Sequence, residues 1–251
     1  MRRRYKILIA ILITVIVVLS GFIIWAETPP APMQQAYEAL ISDSNVTVIQ
    51  NHWIVFEPNA ANLTTGFIFY PGGRVNCISY ALYAHAIAAE GYLVVIVPMP
   101  LNLAVFGVNV ASDIISAYPN ITLWAIGGHS LGGSMAAQYI DYNPNKVEGL
   151  ALWASYPPSG IDLSKFNISV VTIHGTNDGL VSTKQIDDSL NQLPPDATRV
   201  EIDGGNHAQF GWYGTQSGDN LATISREQQQ ILTVNATVQM LERLEQLSKI
   251  S

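Results

Sequence analysis

The chain has 251 residues, with 12 Lys and Arg against 19 Asp and Glu, for a formal net charge of −7 at pH 7. Only 12% of it is charged and 49% is hydrophobic, which excludes a disordered or collagen-like chain and a nucleic-acid binder working through a basic surface. The single cysteine, Cys77, excludes an intramolecular disulfide framework and a thiolate zinc site.

The first element is an uncharged apolar run of 19 residues, Ile7 to Trp25, interrupted only by Thr14, Ser20 and Gly21. As a helix it spans about 28 Å, close to the hydrocarbon thickness of a bilayer. Arg2, Arg3, Arg4 and Lys6 precede it, so the positive-inside rule keeps the N-terminus in the cytoplasm and carries the rest across. Residues 1–26 are thus expected to be a membrane anchor, or alternatively a signal segment cleaved after Ala26 that leaves a secreted protein. Residues 27–33, with Pro29, Pro30 and Pro32, read as a short stiff tether. The part beyond residue 26 keeps eight positive charges against all 19 negative ones, or −11, and such a surface repels nucleic acid and anionic headgroups.

Residues 34–251 alternate short apolar runs with helical patterns, as in strands joined by crossover helices. Strands are predicted near Val46–Gln50, Trp53–Glu57, Gly66–Tyr70, Tyr92–Val97, Thr122–Ile126, Val147–Trp153, Val170–His174 and Arg199–Asp203, the first two forming an antiparallel hairpin. Helices are predicted near Gln34–Ile41, Ser79–Ala89, Val108–Ala117, Leu131–Tyr142, Thr183–Leu193 and Arg226–Leu247. The last has Ile231, Val234, Val238, Leu241 and Leu244 on one face and a capping box from Ser225 and Gln228. The fold class is α/β: a mostly parallel eight-stranded sheet with helices on both faces, in which chemistry is expected at the C-terminal strand ends.

Three of those ends carry the chemistry-bearing residues. After the strand at Thr122–Ile126 comes Gly128-His129-Ser130-Leu131-Gly132, a G-x-S-x-G turn between strand and helix that presents Ser130 as a nucleophile. The glycines remove side chains that would collide with the neighbouring backbone, and the new helix aims its free N–H groups at the site. His174-Gly175-Thr176-Asn177-Asp178 follows a later strand and Gly204-Gly205-Asn206-His207 follows the last, giving the order Ser, Asp, His.

With Tyr70-Pro71-Gly72-Gly73-Arg74, these motifs resemble the serine α/β-hydrolase superfamily over roughly residues 46–250, and most closely its small lidless branch of dienelactone-hydrolase-like esterases. The run from His207 to Gly214 is similar to a branch whose members are known mostly as hydrolases. Dienelactone hydrolases proper use a cysteine where this chain has Ser130, so lactone specificity does not carry over. The resemblance implies a serine carboxylic-ester hydrolase with no cofactor and no metal. Ser130 would be the nucleophile, His207 the base and Asp178 the acid that orients it, with an oxyanion hole from the backbone N–H groups of Leu131 and Gly73, Arg74 being second choice.

Rival readings exist for several residues. His174 could serve as base, Asp203 and Asp219 are alternative acids, and Asp219 could instead hold the loop after His207. Cys77 is expected to be a small buried hydrophobe, and His52, His85 and His129 packing or surface residues. Arg74 could bind a substrate carboxylate. Leu101, Leu103, Val105, Phe106, Tyr156, Phe210, Trp212 and Tyr213 either wall a cleft or pack the loops. The insertion between the strands ending near Trp153 and starting near Val170 has only about 16 residues, too few for a helical cap, so an open site for soluble esters or exposed chain ends is expected. Two other activities share these features: acyl transfer by the same triad, and a non-catalytic binding module. Five N-x-S/T sequons occur, at Asn45, Asn62, Asn120, Asn167 and Asn235.

Overall fold

Strands buried on both faces need near-continuous apolar sequence, and the central runs of this chain supply it. In a computed structural model, which describes residues 2–59 and 63–249, they form one eight-stranded sheet. The strands are β1 (Val46–Gln50), β2 (Ile54–Pro58), β3 (Thr65–Tyr70), β4 (Leu93–Ile96), β5 (Leu123–His129), β6 (Gly149–Trp153), β7 (Ser169–Gly175) and β8 (Thr198–Ile202). Their order is β1-β2-β4-β3-β5-β6-β7-β8, with β2 antiparallel to β1 and β4 and every other pairing parallel. The helices are α1 (Arg2–Glu27), α2 (Gln34–Glu38), α3 (Ala81–Ala89), α4 (Val110–Ala117), α5 (Leu131–Tyr142), α6 (Thr183–Ser189) and α7 (Arg226–Ser248). Of the sequon asparagines, Asn62 lies outside the described residues and the other four are exposed.

Alternation along β3 divides the core in two. Phe67 and Phe69 join Tyr83, Ile87, Trp153 and Leu244 on the face covered by α3 and α7, while Ile68 and Tyr70 join Trp124, Ile126, Tyr139 and Leu150 on the face covered by α4 and α5. The capping box of α7 forms as predicted, but Ile231 is exposed. The face that packs is instead built from Gln229, Thr233, Val234, Thr237, Met240, Leu241 and Leu244. Thr233 and Thr237 enter the core because their hydroxyls bond back to the Gln229 and Thr233 carbonyls, both at 2.8 Å, and Thr237 also accepts the Trp153 indole N–H at 3.1 Å.

Topology selects the site. From β3 the chain crosses one way to β4 and then returns past β3 to β5, so the loops leaving the neighbouring strands β3 and β5 diverge and open a crevice at their carboxyl ends. Among the described residues no helix occupies the segment between β6 and β7, the place of a cap over the crevice.

The elbow demands close contact between α5 and the end of β3. A Cβ added to Gly132 would lie 2.0 Å from the Tyr70 carbonyl oxygen and 2.4 Å from that of Pro71. In an exposed helix, Gly→Ala gains about 1 kcal/mol. Here the clash reverses the sign, and Gly132→Ala is expected to cost roughly 2–4 kcal/mol and lower the Tm by about 5–10 °C. A thermal melt with the wild-type Tm would show that α5 does not approach β3 this closely.

Candidate active site

Ser130 sits between β5 and α5 at φ 52° and ψ −122°, a conformation L residues rarely adopt. It persists because neighbouring structure holds both of its peptide groups. Ser130 N–H donates to the Trp153 carbonyl at 2.9 Å, and the Ser155 hydroxyl donates to the Ser130 carbonyl at 2.6 Å, so the end of β6 grips the turn from both sides. The side chain is left half-buried at the head of α5.

His207 and Asp178 meet beside this turn. His207 Nδ1 lies 2.8 Å from Asp178 Oδ2, with both residues buried. The other Asp178 oxygen, Oδ1, accepts the N–H groups of Leu180 at 2.8 Å and Val181 at 2.7 Å, which fixes the carboxylate plane. With Nδ1–H donating to the carboxylate, Nε2 of the neutral ring carries the lone pair. The His207 ring rests against His129, the residue before Ser130, at a centroid distance of 4.4 Å.

Asp219 ties the acid and base loops together. Its Oδ1 accepts from Gly179 N at 3.0 Å, Asn220 N at 2.9 Å and His207 N at 3.3 Å, and its Oδ2 accepts from Ala208 N at 2.8 Å. One carboxylate therefore fastens the residue after Asp178 to His207 itself.

The backbone donors fall into place by elimination. Arg74 N–H is taken by the Asn102 carbonyl at 2.8 Å and Gly72 N–H by the Tyr80 hydroxyl at 3.0 Å, whereas Gly73 N–H has no hydrogen-bond acceptor among the described residues. A Cβ on Gly73 would lie 3.1 Å from Leu131 Cδ2, so the two predicted donor residues abut. Leu131 N–H opens α5 and has no carbonyl within that helix to bond.

An alpha/beta hydrolase family model matches residues 66–231, from β3 into α7. The chain belongs to the alpha/beta hydrolase family. Among solved structures, TT1662 from Thermus thermophilus aligns with a TM-score of 0.58 at 13% identity, covering 79% of this chain and 98% of that one. A predicted CIB-like hydrolase from Thermoplasma acidophilum aligns with a TM-score of 0.56 at 14% identity, covering 77% and 97%. At such identities these likenesses speak for the fold. No curated protein matches the chain.

Other polar groups of this hydrolase have separate roles. His174 is bound on β8, with Nε2 at 3.2 Å from Glu201 Oε2 and 3.3 Å from Arg199 Nη2, and burial together with the Arg199 charge lowers its pKa. Asp203 accepts the Thr176 hydroxyl at 3.3 Å while Thr176 Oγ1 accepts Gly204 N–H at 2.8 Å, closing the turn before the histidine. Burial pushes the Cys77 thiol up to about 11, far from a thiolate at neutral pH.

The expected cleft walls divide. Phe210, Trp212 and Tyr213 are buried packing residues, with Phe210 stacked on His129 at 5.7 Å and the Trp212 indole donating to Gln230 Oε1 at 2.7 Å. They do not line an open cleft, because the loop after His207 folds its aromatics beneath itself. Leu101, Leu103 and Tyr156 are half-buried, Val105 and Phe106 are exposed, and Tyr156 accepts a hydrogen bond from Gln185 at 3.2 Å. A cavity of about 250 Å³ under the same loop is lined by residues including Asn206, Gln209 and Asp219 and does not reach Ser130. Arg74 is not free for a carboxylate, since Nε donates to the Trp25 carbonyl at 2.8 Å and Nη2 to the Thr28 carbonyl at 3.0 Å.

His129 is wholly buried, with Nδ1 2.9 Å from the Tyr80 hydroxyl. That hydroxyl also accepts the Gly72 N–H at 3.0 Å, so Tyr80 links the ring to the loop after β3. Burial, reinforced by the neighbouring His207, holds the His129 pKa well below 6.5. The unfolded chain therefore binds a proton that the folded chain refuses. Stability is complete above about pH 6.5 and is lost as pH falls from there toward the folded-state value, at about 1.4 kcal/mol per pH unit for one such group. His129→Asn keeps an acceptor for Tyr80 and is expected to flatten this slope in urea titrations between about pH 6 and pH 5. A slope unchanged by the substitution would mean that His129 titrates alike in both states.

Proposed function

We propose that this hydrolase is a serine carboxylic-ester hydrolase, held in the membrane by α1 with its catalytic domain outside the cytoplasm. The observation that carries the reading is the buried His207–Asp178 pair at 2.8 Å beside a serine held in a strained turn at the head of a helix. Ser130 Oγ attacks the ester carbonyl as His207 Nε2 takes its proton. The oxyanion forms against Leu131 N–H and Gly73 N–H, each such donor being worth about 2.7–4 kcal/mol. His207 then protonates the departing alcohol. Water attacks the acyl-enzyme through the same base, releasing the carboxylic acid and restoring Ser130. Asp178 keeps Nε2 available and stabilises the imidazolium, and Asp219 keeps the two loops in register.

The anchor reading is supported by α1, whose residues 4–27 have a mean hydropathy of 3.2 in their most apolar window, none of it buried against the domain. The basic residues at its start favour an N-terminus in the cytoplasm.

With p-nitrophenyl butyrate, Ser130→Ala is expected to lose about 10³-fold or more in kcat/KM and to fail to react with a fluorophosphonate probe. Unaltered turnover would sink the assignment. Asp219→Asn removes the charge while keeping the shape of the side chain. It is expected to lower kcat about tenfold, close to the worth of one charge-assisted hydrogen bond, with KM changed less than about twofold. A change confined to KM would place Asp219 at substrate binding instead of positioning.

A further inference from the structure

Hydrolysis of esters in water leaves one arrangement unused: the end of α1 is bonded to the two loops that border the proposed oxyanion site. Arg74 donates to the carbonyls of Trp25 and Thr28, and its guanidinium lies 4.3 Å from the centre of the Trp25 ring. Asn102 Nδ2 donates to the Ala26 carbonyl at 3.1 Å, and Ala26 is completely buried. These carbonyls close the last turn of α1, where helix acceptors lack partners and a cation meets the negative end of the dipole. The two clamping residues are themselves joined, Arg74 N–H to Asn102 carbonyl at 2.8 Å.

The tether is not a loose spacer. Pro32 is buried and Met33 N–H donates to the Trp212 carbonyl at 2.8 Å, on the loop that follows His207. Residues 25–33 therefore run from the loop that bears Gly73 to the loop that bears His207, and α1 leaves from the rim of the crevice.

The apolar run of α1 ends at Trp25, the residue type that settles at the lipid–water boundary. Arg74 stacks on Trp25, and Gly73 is one residue, about 3.8 Å of backbone, from Arg74. The loop that contains Asn102 also exposes Val105 (45%) and Phe106 (54%), while its Leu103 comes within 3.7 Å of a Cβ placed on Gly73. An apolar rim, a boundary tryptophan and the proposed oxyanion donor share one face, and that face is continuous with the membrane helix.

We propose that the mouth of the site is apposed to the bilayer surface and that the enzyme takes its ester from the leaflet: an amphiphile whose chain remains in lipid while its carbonyl reaches Ser130. This rests on the reading of Ser130 as nucleophile and α1 as retained anchor. The uncapped cleft, which by itself suits soluble esters, is covered by the membrane. The net charge of −11 beyond residue 26 makes zwitterionic lipid the matching surface.

The test uses the full chain in phosphatidylcholine vesicles. In a Cys77→Ser background, a nitrobenzoxadiazole label is placed through Val105→Cys or, before β6 at the amino ends of the strands, through Lys146→Cys. Brominated phosphatidylcholine is expected to remove at least about half the fluorescence at position 105 and leave position 146 unchanged. Equal quenching at the two positions overturns the proposed orientation. In a second arm the double variant Trp25→Ala/Asn102→Ala, with its clamp released, is expected to lose about tenfold in rate on 4-methylumbelliferyl palmitate carried in the vesicles, with p-nitrophenyl butyrate hydrolysis within twofold of wild type. Equal loss on both esters, or on neither, overturns lipid delivery. Release of the protein by alkaline carbonate overturns the anchor reading and this proposal with it. Full esterase activity in Ser130→Ala overturns the nucleophile reading, and label quenching still decides the orientation.

Discussion

The backbone of Ser130 is the constraint on which the rest of the site depends. A positive φ at a non-glycine residue is held only by surroundings that leave no alternative, and here the end of β6 supplies them through the Trp153 carbonyl and the Ser155 hydroxyl. The same turn explains why α5 carries Gly132 and Gly133 directly after its first residue and lies against the end of β3. That contact brings the loop with Gly73 beside Leu131, so the strain at one residue and the pair of unoccupied N–H groups are two results of one packing requirement. The loops that leave β7 and β8 bring Asp178 and His207 beside that turn.

His129 and Asp219 both support His207. His129 lies against the His207 ring with the two planes at 48°, and burial keeps it neutral, so His207 gains a packing surface without a competing charge. Asp219 acts on the backbone around the imidazole. The support is mechanical on one side and electrostatic on the other, and both converge on His207.

Much of this was legible in the sequence because it is local. The elbow is a five-residue pattern, the order Ser, Asp, His follows the strand order, and the alternation of apolar runs and helical patterns gave the parallel sheet and its antiparallel hairpin. What escaped were contacts between segments distant in sequence. Nothing near Ser155 marks it as a brace, since its partner is 25 residues away. Asp219 read as a holder of its own loop, but its reach to Gly179 needed the loops in space. On α7 a hydropathy count favoured Ile231 over Thr233 and Thr237, whose hydroxyls satisfy themselves on the helix and so bury at little cost. Phe210 and Trp212 read equally as cleft walls and packing, and the fold of their loop chose packing.

The junction at Ala26 has a consequence of its own. A processing protease requires its scissile bond extended and accessible, whereas in the folded protein this residue is helical, fully enclosed and held through its carbonyl by Asn102. Once the domain has docked on this segment, the bond after Ala26 is closed to such a protease. The residues that close it lie beside the loop bearing Gly73 and not in the apolar segment itself.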